Sequence, residues 1–146
     1  MKKTIALVVL TLTLGSAYSQ KEIFSKSNLA IQGYDPVAYF KNSKPVQGKK
    51  EFSYSWKDAT WNFASQENLE DFKNNPEKFA PQFGGYCAYG VADGHKAPTS
   101  PDAWTIVGDK LYLNYDKDVR ELWKKDQHGF IKEANKNWST VKKEKD

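Results

Sequence analysis

The chain has 146 residues, 22 Lys+Arg against 18 Asp+Glu for a net charge of +4, and one cysteine, Cys87. That length suits one domain with a single core, and one cysteine excludes an intramolecular disulfide, so packing must hold the fold. Half of the small basic excess lies in Lys2 and Lys3, and no basic groove with interleaved aromatics marks a nucleic-acid partner.

The first predicted element is an export signal. Met1-Lys2-Lys3 forms a short positive region, residues 4–14 are apolar and uncharged, and Ala17 and Ser19 are the small residues a signal peptidase accepts. Cleavage is expected after Ser19, with Ala17 as the alternative, leaving residues 20–146 as one extracytoplasmic domain, periplasmic or secreted. The apolar run is shorter than the roughly 20 residues needed to span a bilayer, so no membrane span is expected in the mature chain.

Residues 20–28 read as a loose lead-in. Residues 34–40 read as a short helix, with Asp35 as the capping residue and Pro36 at the first helical position, where its missing N–H costs nothing. Phe52, Tyr54 and Trp56 alternate with serines, the period of a half-buried strand, and Trp61 and Phe63 form the returning strand of a hairpin. Ser65 is placed to cap a helix that turns Leu69 and Phe72 inward, and Pro76 restarts one further turn.

Residues 81–101 read as a long irregular stretch, and a loop of that length in a small domain is functional or hides structure. A second hairpin is expected over residues 104–115, folded at Gly108-Asp109. Asp116 or Asp118 caps a C-terminal helix, Gly129 is expected to break or bend it, and Phe130, Ile131, Ala134, Trp138 and Val141 follow at helical spacing. His128, just before that break, reads as a structural histidine at a helix end. The fold class is α+β, a small antiparallel sheet from two hairpins packed against several helices.

Few residues carry chemistry. Cys87, in Gly84-Gly85-Tyr86-Cys87-Ala88-Tyr89-Gly90, is either a small buried hydrophobe or a reactive thiol or metal ligand. His95 follows eight residues later and would supply a second ligand, although a structural zinc takes four protein ligands and a catalytic one usually three. Tyr34, Tyr39, Tyr86, Tyr89 and Tyr112 are either core rings or the walls of a small-molecule pocket. There is no Gly-x-Ser-x-Gly elbow and no P-loop.

Several segments in a fixed order resemble the YHS-domain family in its small exported form. They are Gly33-Tyr34-Asp35-Pro36-Val37-Ala38-Tyr39-Phe40, Trp61-Asn62-Phe63-Ala64-Ser65, Asn75-Pro76-Glu77-Lys78-Phe79, Gly84-Gly85-Tyr86-Cys87-Ala88 and Gly108-Asp109-Lys110-Leu111-Tyr112-Leu113. The resemblance implies the family's scaffold over residues 33–138. It also implies metal binding, copper included, in those members that carry Phe-Cys-Ser-x-x-Cys at the strand-to-helix junction. Here the corresponding stretch is Phe63-Ala64-Ser65-Gln66-Glu67-Asn68, so a methyl and an amide stand where thiolates would be, and thiolates are the ligands that select copper(I) or zinc.

The expectation ranked first is a non-enzymatic binding module for a small molecule, its ligand held by Tyr34, Asp35, Tyr86 and Cys87. The alternatives are metal handling, with a copper or zinc ion on Cys87 and His95, and a thiol-dependent enzyme using Cys87.

Overall fold

The computed structural model describes residues 21–145, so the expected signal over residues 1–19 lies outside the described residues. Two very short strands come first, β1 (Ser25–Lys26) and β2 (Leu29–Ala30), where a loose lead-in is expected from sequence. Strands of two residues carry no period for a sequence pattern to show. A 3-10 turn over Ile31–Gly33 leads to α1 (Pro36–Asn42), then to the hairpin β3 (Lys49–Trp56) and β4 (Ala59–Phe63). Helices α2 (Gln66–Asn74) and α3 (Pro76–Phe79) follow, then a second 3-10 turn at Gln82–Gly85 and α4 (Ala88–Ala92). The chain closes with β5 (Trp104–Val107), β6 (Lys110–Leu113), α5 (Lys117–Lys124) and α6 (Gln127–Val141).

The architecture is α+β, but the two hairpins do not share a sheet. Strands β1 to β4 form one sheet in the order β1-β2-β4-β3, and β5 and β6 form a second. The free edge of β4 is taken by β2, which pairs parallel to it at Leu29 and Thr60, with the Thr60 N–H donating to the Asn28 carbonyl at 2.9 Å. The first sheet is therefore mixed, and its remaining pairs are antiparallel.

The second hairpin serves as a partition. Leu111 and Leu113 of β6 join a core with Val37, Trp61, Phe63 and Phe72, whereas Tyr112 joins another with Phe83, Val91, Trp123 and Ala134. This follows from the period of two: alternate side chains of a strand covered on both faces enter different interiors. Phe72 anchors the first core, with ring centroids 5.1 Å from both Trp61 and Phe63 and 5.6 Å from Trp56. Such aromatic pairs are worth roughly 0.5–1.5 kcal/mol each beyond the area they bury.

The C-terminal helices separate three residues earlier than Gly129. The chain turns at Lys125 and Asp126, and the Asp126 carboxylate caps α6 by accepting the Gly129 N–H at 3.1 Å. Gly129 lies inside α6, where a Cβ would collide with that capping carboxylate. His128 consequently sits in the first turn of α6, at the opposite end of a helix from that expected. No helix among the described residues is long and apolar enough to cross a membrane.

Gly84 is dictated by a close approach together with positive φ. At φ +62°, it accepts the Phe24 N–H on its carbonyl at 2.8 Å, and a Cβ there would overlap the Glu22 carbonyl oxygen. Gly94 also has positive φ (+91°) but faces open space. Gly94→Ala is expected to cost about 1 kcal/mol from backbone strain alone, while Gly84→Ala adds a backbone collision and costs roughly 3 kcal/mol or more. Urea unfolding of the two variants measures the difference.

Candidate functional site

Three places hold the chemistry-bearing residues. The first surrounds Asp35, which is fully buried. One carboxylate oxygen caps α1, accepting from the Val37 N–H at 2.8 Å and the Ala38 N–H at 3.3 Å. The other accepts from the Ala64 N–H at 2.8 Å and from the Asn68 side-chain amide at 2.7 Å. Four N–H donors and the start of a helix thus take the place of a counter-cation. Ser65 completes the junction by accepting the Asn68 N–H at 3.1 Å, which caps α2 as its sequence position predicts.

This donor set decides whether a metal fits the β4–α2 junction. Ala64 offers a methyl and a backbone N–H, and Asn68 directs its NH2 group at the carboxylate. N–H donors repel a cation, and the thiolates that would hold a soft ion are not there. The junction does not fit a metal ion.

The second place is around Cys87, which is 2% exposed and begins α4. Its thiol donates to Asn114 Oδ1 at 3.5 Å, and the same oxygen accepts the Tyr89 N–H at 3.1 Å. Asn114 is itself fully buried, and its Nδ2 has no hydrogen-bond partner among the described residues. Burial pushes the Cys87 thiol up from its ordinary value, against lesser backbone hydrogen bonds that favour the thiolate. His95 is exposed, with Nδ1 3.6 Å from Asp93 Oδ2. Among the described residues there is no group of three or more His, Cys, Asp or Glu side chains placed to hold a metal ion.

Tyr34 is half-buried and forms an isolated antiparallel bridge with Gln47. Tyr86 is buried, donates its hydroxyl to the Lys21 carbonyl at 3.2 Å, and borders a shallow depression with Phe24, Lys96 and Pro98. The segments carrying Tyr34-Asp35 and Tyr86-Cys87 are joined through Thr99. Its carbonyl accepts from Gln32 Nε2 and its hydroxyl donates to the Gly85 carbonyl, both at 2.8 Å. The side chains nevertheless diverge, Asp35 into the α1–α2 junction and Cys87 toward Asn114.

The third place was not singled out from sequence. A cleft of about 150 Å³ opens between the β3–β4 turn, the Gln82–Gly85 turn and α6. Trp56, Phe83 and Trp138 supply its rings, and Glu22, Lys57 and Glu77 its charges. Lys57 Nζ lies 3.1 Å from Glu22 Oε1 and 3.6 Å from Glu77 Oε1. The sequence signal is faint, because these six residues come from five separate segments.

Removing the buried carboxylate would strand its donors. Asp35→Ala is expected to cost roughly 3–4 kcal/mol, and Asn68→Ala roughly 1–2 kcal/mol, in denaturant unfolding. Alkaline pH provides a second check. Burial, with Tyr34, Asp102 and Asp35 adding to it, also pushes the Tyr39 hydroxyl up. Groups raised in the native state ionise first in the unfolded chain, so stability is full below about pH 8.5 and declines as pH rises toward the native values. In Cys87→Ala the decline should begin only near the tyrosine range, about pH 10, as followed by urea midpoints from neutral to alkaline pH.

Comparison with known proteins adds one finding. No curated protein and no solved structure matches the chain. Residues 37–83, from α1 through the α2 and α3 helices to the Gln82–Gly85 turn, match the YHS domain. That stretch includes Ala64 and Asn68, both donors to Asp35, and it stops short of Cys87. The chain carries a YHS domain.

Proposed function

We propose that this chain is an extracytoplasmic, non-enzymatic module that binds a small molecule in the cleft between Trp56 and Trp138. The observation that carries the reading is the cleft itself: aromatic walls, a charged mouth and an interior drawn from both cores. At about 150 Å³ the space suits a fragment-sized molecule rather than a nucleotide or a drug-sized ligand. A non-enzymatic role is supported by Asp35 and Cys87, whose reactive atoms are engaged in internal hydrogen bonds. The export signal expected over residues 1–19 supports the location.

The YHS match favours one second reading, because that domain is associated with copper handling. In this reading Cys87 and His95 contribute to the ion's binding, after a rearrangement that exposes the thiol.

The two readings part in native mass spectrometry of protein isolated from its own extracytoplasmic compartment. A small organic adduct that survives Cys87→Ala and disappears in Trp138→Ala is the expected result. Copper or zinc retained by the native chain and lost in Cys87→Ala would establish the second reading instead. Adduct-free protein whose melting temperature no small molecule raises would sink the first, since any ligand that prefers the native state must raise it.

A further inference from the structure

The cleft already contains a cation. The Lys57 ammonium sits 3.1 Å from Glu22 Oε1, 3.6 Å from Glu77 Oε1 and 4.7 Å from the centroid of the Trp56 ring. Charge-assisted bonds from one side and an aromatic face from the other are the means by which proteins hold organic ammonium groups. The charges around the cleft are also unbalanced: two carboxylates, Glu22 and Glu77, face one ammonium. A second cation would be attracted there, and an anion would meet an excess of negative charge.

The occupant is loosely held. The Lys57 and Glu22 side chains keep 35% and 39% of their exposure and Glu77 keeps 76%, and ion pairs that accessible contribute little net stability. Lys57 is also presented by an uncommon backbone. Lys57 and Asp58 form the two-residue β3–β4 turn at φ 49° and 57°, where Asn and Gly are the favoured residues. The turn thus places a flexible ammonium in the lining of a cleft that Phe83 and Trp138 also border.

We propose that the cleft binds a small organic ammonium compound and that Lys57 is its built-in placeholder, displaced when the ligand enters. This rests on the binding-module reading above and names the ligand class for the same cleft. The ligand's ammonium would replace that of Lys57 between Glu22, Glu77 and Trp56, and its apolar body would lie against Trp138 and Phe83. No bond is made or broken.

The probes are n-butylammonium, butan-1-ol and butanoate, titrated at constant ionic strength into the full mature chain while the indole N–H signals of Trp56 and Trp138 are followed by NMR. Butylammonium is expected to shift both signals saturably, and butanoate neither. Lys57→Gly removes the competitor and suits the positive φ; it should tighten butylammonium about threefold to tenfold, with Lys57→Asn giving the same direction. Glu22→Gln should weaken it by a similar factor. Saturable binding of butanol or butanoate without butylammonium would overturn the ammonium class while leaving a ligand-binding cleft. Butylammonium binding that Lys57→Gly fails to tighten would overturn the placeholder. If no probe shifts either indole in the native chain or in Lys57→Gly, the cleft reading falls as well.

Discussion

The structure depends on a buried negative charge that is stabilised by N–H groups instead of a cation. A carboxylate taken out of water without compensation is expensive by several kcal/mol. Asp35 avoids that penalty only because Val37, Ala38, Ala64 and Asn68 all point donors at it. Those donors belong to the start of α1 and to the β4–α2 junction, and the Asp35 N–H itself donates to the Val46 carbonyl at 2.9 Å. One residue therefore positions two helices and a strand end through its side chain and the segment entering β3 through its backbone. Helix α1 in turn brings Val37 and Tyr39 into the first core, and α2 brings Phe72.

The same arrangement holds the β4–α2 junction together without an ion. With Ala64 and Asn68, the junction is held by hydrogen bonds that run from protein donors to a protein acceptor. No ion is required to bring the strand end and the two helices together. The lone pairs of Asp35 that would face the junction are committed to Ala64 and Asn68. Fold and coordination chemistry are separable here because the carboxylate lies outside the Phe63-to-Asn68 stretch and stabilises it from another segment.

Much of this was legible in the sequence where the determinant is local. Asp35, Ser65 and Asp116 are capping residues directly ahead of helices, and all three accept the N–H bonds their positions imply. The two hairpins were legible from alternation and from the residues between their strands. What escaped depends on partners distant in sequence. The β2–β4 pairing rests on a single registered pair, α4 is five residues inside a glycine-rich stretch, and the Asn114 that receives the Cys87 thiol lies 27 residues away. The break at Asp126 was hidden by a more conspicuous glycine three residues on. Asp35 itself was legible as a cap but not as the acceptor for Ala64 and Asn68, because nothing local signals that its second oxygen crosses to β4.

The cleft follows from the same two-core plan. Trp56 packs against the first core and Trp138 against the second, each only partly buried, because β6 divides the interior and neither core can extend across to cover the other's outermost ring. Phe24 touches both cores, and its strand segment is fastened to the Gly84 turn, so the chain bridges the gap at one edge and leaves it open beside Lys57. Lining drawn from independent cores is more rigid than a loop-built pocket, since each wall is fixed by its own packing. The Lys57 ammonium at the opening lies over the Trp56 face and against Glu22 and Glu77 without sealing them in, because its own side chain and both carboxylates remain accessible to solvent.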